Sequence, residues 1–190
     1  MNNQEYAEMP KQWRLNTSNL GKLKELQKMF AQHGYELTST QIDLREIDAD
    51  SIKVIVHKAS QLGERILVED TSLEIEGAKV GVNIRWLLDH LPNYVGHKAQ
   101  WQVLLAYHHG DKVYIFRGLV NGVIVTPRGN EGFGFDPVFL PDGSTWTLAE
   151  RKSDHVNARA LAVKALINNK PMAIESVMTS WTGPWQDEDH

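Results

Sequence analysis

A mixed α/β fold around a central, partly parallel sheet follows from two features of this 190-residue chain. Strand-like and helix-like segments alternate through its first third, the pattern of crossover connections between parallel strands. Beyond residue 112 two β-branched segments flank an Asn-Gly pair, the pattern of an antiparallel hairpin. One domain over residues 12–170 is large enough to bury a core without covalent help, with 1–11 and 183–190 expected as tails.

The first strand is expected at Trp13–Asn16, followed by the polar loop Thr17-Ser18-Asn19 and a helix on which Leu20, Leu23, Leu26 and Phe30 recur until Gly34. Tyr35–Ile42 has the composition of a second strand and leads into the acidic loop Asp43–Asp48. A second helix begins near Asp50 or Ser51, places Ile52, Ile55, Val56, Ala59 and Leu62 on one face, and stops at Gly63. Arg65–Val68 reads as a strand buried on both faces, which puts Glu69 and Asp70 at its carboxyl end. Ile84–Leu91 and Ala99–Tyr107 are expected as helices, and His108-His109 as a surface turn before Gly110. Val113–Leu119 and Gly122–Val125 follow as strands turning at Asn121-Gly122, and Ala158–Asn168 closes the body as a helix. In such sheets ligands favour the crevice beyond the carboxyl ends of the strands, where the polar loops fall.

Composition excludes several functions. Without cysteine there is no disulfide framework, no thiolate metal site and no cysteine nucleophile. A net charge of −4 gives no general basic field to gather nucleic acid. No apolar run approaches the ~20 residues that span a bilayer, and the first residues lack the pattern of a signal peptide. A soluble, cytoplasmic protein without a membrane partner is expected.

Four clusters could carry chemistry. Thr17, Ser18, Asn19 and Lys22 sit where a strand turns into a helix, so free backbone amides, the helix dipole and an ammonium suit a phosphate. An ordinary capped helix start with a solvated lysine fits the same residues. Glu69 and Asp70, with Glu46 on the preceding loop, offer the oxygen ligands Mg2+ prefers and a carboxylate to accept a proton from water; solvated loop acids are the alternative. Phe133, Gly134, Phe135 and Asp136 could stack on and bind a base, or form a glycine-rich turn with two core aromatics. Arg151, Lys152 and His155, with Arg159 one turn on, could read a base edge or a phosphate, or be a solvated face. The histidines show no zinc-ligand spacing.

In this order the segments resemble the inosine triphosphate pyrophosphatase family, which acts on noncanonical purine nucleoside triphosphates, from about Arg14 to Leu166. Thr17–Lys22 is similar to its T-x-N-x-x-K loop, Ile42–Glu46 to its I-D-L-x-E segment and Val68-Glu69-Asp70-Thr71 to its acidic motif. Phe116-Arg117-Gly118, Pro127-Arg128-Gly129 and Phe133–Phe139 complete the series.

The resemblance implies an elongated, two-lobed fold with a long sheet flanked by helices, a homodimer, and Mg2+-dependent cleavage of ITP, dITP or XTP between the α- and β-phosphates. It further implies that Thr17, Ser18, Asn19, Lys22, Lys53 and Thr71 bind substrate, with Lys58 the alternative to Lys53. Glu46 and Asp70 would hold Mg2+, with Asp70, Glu69 and Lys22 as the catalytic set, and Phe133–Asp136 would line the base pocket. Two departures stand out. Val80-Gly81-Val82 keeps a glycine but lacks the usual flanking prolines. The S-H-R signature before the last helix is replaced, with Val156 and Asn157 at its His and Arg, leaving Arg151, Lys152, His155 and Arg159 as stand-ins. The chemistry is therefore expected to transfer better than the base preference. A pyrophosphatase for another nucleotide, or a nucleotide-binding protein without catalysis, are the alternatives.

Overall fold

The computed structural model describes residues 9–78 and 84–186. Its strands are β1 (Gln12–Asn16), β2 (Glu36–Thr40), β3 (Ile66–Ile75), β4 (Lys98–His109), β5 (Lys112–Ile124), β6 (Phe139–Pro141) and β7 (Ala173–Ser176). The helices are α1 (Leu20–Gln32), α2 (Ser51–Ser60), α3 (Ile84–His90) and α4 (Ala158–Ile167). The seven strands form one mixed sheet in the order β2-β1-β3-β4-β5-β6, with β7 pairing the other end of β5. β1 pairs in parallel with β2 and β3, whereas β3 to β6 run antiparallel in succession.

Helices cover both faces. Leu26, Met29 and Phe30 of α1 and Ala162, Val163 and Leu166 of α4 join a core with Leu15, Leu67, Trp101, Leu105 and Phe116. On the opposite face Ile55, Val56 and Ala59 of α2 pack with Val68, Leu104, Ala106, Val113 and Ile115. This two-sided burial accounts for the first correction. Ala99–Tyr107, expected as a helix, lies within β4. Ala99, Trp101, Val103, Leu105 and Tyr107 face α1 and α4, while Leu104 and Ala106 face α2, so from Val103 to Tyr107 a strand covered on both sides reads as an unbroken apolar run.

Three further expectations change. Val113–Val125 is not two strands with a turn at Asn121-Gly122; β5 is continuous through both residues. Gly122 marks a close approach instead, since a Cβ there would collide with the Leu140 carbonyl and the Phe139 ring. The hairpin turn is at Gly110-Asp111, and His108-His109, expected as a surface turn, ends β4, with His108 Nδ1 2.9 Å from the Ala59 carbonyl oxygen. Finally, β3 does not stop at Val68. It pairs with β1 only at Ile66 and Leu67, then continues against β4 from Val68 to Ile75. Glu69 and Asp70 therefore sit mid-strand, just past the end of the parallel pairing.

The sheet also outruns the expected domain end at residue 170, because β7 pairs with β5 at Lys112–Ile115. The expected tail from 183 is partly ordered: Trp185 forms a bridge with Ile47. Val80-Gly81-Val82 lies outside the described residues. Among the described residues no helix is long and apolar enough to cross a membrane.

Helix α4 seats on β5 at Gly118, where an added Cβ would run into the Ala158 carbonyl and the Ala162 amide. Gly118→Ala must push α4 off the sheet, and is expected to cost about 3 kcal/mol, as overpacked cores do. Urea unfolding checks this; an unchanged midpoint would show that α4 has room to shift.

Candidate active site

The first loop is held in place from below. Asn16 at the end of β1 accepts at Oδ1 from the Ile42 amide (2.8 Å) and the Thr40 hydroxyl (2.8 Å), and donates from Nδ2 to the Ile42 carbonyl (3.0 Å). The Thr17 hydroxyl accepts from the Asn19 amide at 3.1 Å, and Asn19 Oδ1 accepts from the Lys22 amide at 3.0 Å, which makes Asn19 the N-cap of α1. The helix start is thus capped, but its lysine is not free in solvent: Lys22 Nζ lies 2.8 Å from Glu69 Oε2. Thr17, Ser18, Asn19 and Lys22 line a crevice of about 490 Å3 together with Glu46, Lys58 and Glu69.

Successive strand residues point to opposite faces. Glu69 lies on the α1–α4 side, next to Lys22, the Thr71 hydroxyl that donates to it, and Arg159. Asp70 falls on the α2 side, under the influence of Lys58, Glu69 and Glu46. The two acids receive opposite treatment. Burial alone would raise the Glu69 carboxyl, but Lys22 and Arg159 outweigh it and hold the pKa below the usual value. Burial dominates at Asp70, and with the negative charges of Glu69 and Glu46 it lifts the pKa from 3.8 to about 6 despite Lys58.

Of the two candidate lysines on α2, Lys58 enters the crevice. Its Nζ donates to the Glu69 carbonyl (3.0 Å) and lies 3.2 Å from Glu46 Oε1. Lys53 stays on the outer surface, 58% exposed and 3.8 Å from Asp50. Among the described residues no three acids or histidines gather into a protein-only metal cage. Glu46 and Asp70 instead fit a hard cation held jointly with substrate oxygens, the usual mode for Mg2+. Burial first, and the neighbouring Glu69 and Glu46 charges second, disfavour the ionised Asp70 carboxylate, and a cation beside it would favour that form.

A second cavity of about 380 Å3 opens beside Phe133, bordered by Glu25, Arg151, Lys152 and Asn157. Asp136 is buried, and its Oδ2 accepts from the Phe133 amide (3.0 Å) and pairs with Lys152 Nζ (2.6 Å). Lys152 and Arg159 stand 4.9 and 5.0 Å from the Phe133 ring centre. The two phenylalanines part company: Phe135 packs edge-on against Trp101 and Phe139 in the core, while only Phe133 borders the cavity. Gly134, at φ 63, forms the turn between them.

A chain of ion pairs joins the two cavities. Arg159 Nη2 donates to the Thr71 hydroxyl (2.9 Å), and Arg159 lies within 4 Å of both Glu69 and Glu25. Glu25 continues to Lys152 at 3.5 Å and accepts from Asn157 Nδ2 at 2.7 Å.

A sequence profile of the Ham1 family matches residues 13–169. The chain belongs to the Ham1 family. It is 36% identical to an inosine triphosphate pyrophosphatase of Yarrowia lipolytica over 86% of this chain and 96% of that one. A dITP/XTP pyrophosphatase of Thermococcus kodakarensis is 32% identical, over 74% of this chain and 85% of its own. A HAM1 protein from Coxiella burnetii shares the fold, with a TM-score of 0.65 at 20% identity, across 83% of this chain and 97% of that one.

Within this Ham1 chain, most of the residues singled out in the sequence converge, and a few do not. His155 turns away from Phe133 into a separate depression beside Trp146 and Ser153, which Arg151 also borders. Three contributors were not singled out. Glu25 lies one turn after Lys22 on α1, a spacing that places both on one helix face and could have flagged it. Asn157 caps α4 by accepting from the Arg159 and Ala160 amides, a role its place before an apolar helix signals. Trp101 lies beneath Lys152 and Arg159; nothing in the local sequence separates it from the other core residues of β4.

Proposed function

We propose that this protein hydrolyses an ITP-, dITP- or XTP-like nucleoside triphosphate to the monophosphate and pyrophosphate, with Mg2+ as cofactor. The enzyme class, nucleoside triphosphate pyrophosphatase, is that of its named relatives. The observation that carries the reading is the convergence of Lys22, Lys58, Glu46 and Glu69 around the amide-lined start of α1, with Asp70 across β3 in electrostatic reach of all four. Two ammonium groups and free helix amides suit a polyphosphate, and the acids suit its cation.

In this reading Lys22 and Lys58 neutralise phosphate charge, and Glu46 and Asp70 hold Mg2+, which supplies Lewis acidity at the phosphate oxygens. Asp70 orients a water and takes its proton. The water oxygen bonds to the α-phosphorus, the bond from that phosphorus to the α–β bridging oxygen breaks, and pyrophosphate leaves. Phe133 offers the base its face. Homodimerisation and a cytoplasmic setting belong to the same proposal.

One observation favours a different base. Asn157, at the arginine position of the missing signature, is committed to Glu25 and to capping α4. A panel of ITP, dITP, XTP, ATP, GTP, CTP and UTP, assayed for pyrophosphate with Mg2+ and with EDTA, separates the readings. Release from the first three in Mg2+ alone is expected. A preference for another base would move the substrate and keep the reaction, whereas tight binding with no pyrophosphate from any of the seven would overturn it.

A further inference from the structure

The chain beyond the Ham1 match does not end at the sheet. After β7 the Val177 amide donates to Asp111 and the Met178 amide donates to the Ser60 hydroxyl at 3.0 Å, so the segment crosses the carboxyl end of α2. Trp181 Nε1 then donates to the Pro184 carbonyl at 2.8 Å, which turns the chain toward the loop that carries Glu46. There it pairs on both strands of a short ladder. The Asp48 amide donates to Pro184 (3.0 Å), the Gln186 amide donates to the Glu46 carbonyl (2.9 Å), and Gln186 Nε2 donates to the Ile47 carbonyl (3.1 Å).

Trp185 anchors this ladder from two sides. Its ring lies 4.4 Å from the Arg45 guanidinium and meets His57 edge-on at 5.3 Å. Arg45 precedes Glu46, and His57 precedes Lys58. One side chain therefore touches the neighbours of both members of the Glu46–Lys58 pair, which come from different elements and meet at 3.2 Å.

We propose that Pro184–Gln186, anchored by Trp185, is a positioning strap that holds Glu46 and Lys58 at the separation needed to take cation and triphosphate together. The inference rests on the function proposed above. Glu46 sits on a loop that forms no strand besides its bridge to Trp185, so this external pairing fixes its backbone. Residues 170–186 lie outside the family match, and their last part reaches back to the site.

The test uses the full chain with Trp185→Ala and Trp185→Phe. Trp185→Ala should raise the half-saturating Mg2+ concentration about tenfold, as the loss of groups that orient metal ligands does, with kcat within about twofold of the parent. Trp185→Phe, which keeps an aromatic face, should restore most of it. Calorimetric binding of an α,β-imido analogue of ITP in Mg2+ should weaken in parallel. Amide exchange at Asp48 should speed up in Trp185→Ala alone. An unchanged Mg2+ requirement overturns the strap, as does a fall in kcat that simply tracks lost folded protein. Should the parent release no pyrophosphate from any triphosphate, the proposed function falls, and analogue binding and Asp48 exchange still decide the strap.

Discussion

Asp70→Asn is expected to abolish most pyrophosphate release while making the metal-free protein more stable. In the proposed mechanism the variant loses a cation ligand and the group that takes the proton from water, and removal of a positioned proton acceptor alone costs about 10²–10⁴-fold in rate. Stability moves the other way. Burial raises the folded-state pKa of Asp70 from 3.8 to about 6, so the folded protein binds a proton that the unfolded chain gives up. That contribution is fully present below pH 3.8 and is lost as pH rises through about 6. At pH 7 the ionised, buried carboxylate thus costs the fold about 3 kcal/mol, and an amide of the same shape avoids it. Thermal unfolding in EDTA should place the variant above the parent at pH 7, with the gap closing toward pH 4. Near-parental turnover would remove Asp70 from the mechanism; equal stability at pH 7 would show that solvent reaches the carboxylate more freely than its burial implies.

Arg159→Met should be the most destabilising change at the site. The guanidinium is 3% exposed and lies against Glu25, Glu69 and the Thr71 hydroxyl. Methionine fills much of the volume but leaves two largely buried carboxylates short of a positive neighbour. Removal of one partner from a buried ion pair typically costs about 3–5 kcal/mol, because the remaining charge is stranded. For a chain of this size the loss amounts to about 10 °C in Tm. Arg159→Lys should recover part of it, since an ammonium keeps the charge but cannot span Glu69 and Thr71 as a planar fork does. Calorimetry at pH 7 checks both. A Tm within a degree of the parent would mean that Lys22 and Lys152 satisfy the carboxylates unaided.

Much of the fold was legible because its signals are local. The caps at Asn19 and Asp50, the apolar spacing on α1, α2 and α4, and the polar loop after β1 all depend on residues within one or two turns. The misreadings arise where distant chain decides. The alternation of β4, open from Ala99 to Val103, is hidden from there to Tyr107 because a helix layer covers each of its faces, and Gly122 resembles a turn glycine until Leu140 is seen against it. At the site, the residue types were legible and the directions were not. Counting along the resemblance favours Lys53, with Lys58 the alternative, and the structure brings in Lys58. Only the packing of Val54, Ile55, Val56 and Ala59 into the core rotates α2 so that Lys58 meets Glu46. His155 failed for the same reason, since a short helical turn at Asp154–Val156 directs it away from Phe133.

The placement of Glu69 and Asp70 on opposite sides of one strand bears on how this gene can drift. A single residue inserted or lost in β3 ahead of position 69 would slip the register and exchange the acids' sides, delivering Asp70 to Lys22 and Arg159 and Glu69 to the α2 side. Substitutions elsewhere in the chain can be tried one at a time and reversed. An indel in this strand would swap two jobs at once, so lineages that keep the activity should show length variation in the loops on either side of β3 and none within Leu67–Thr71.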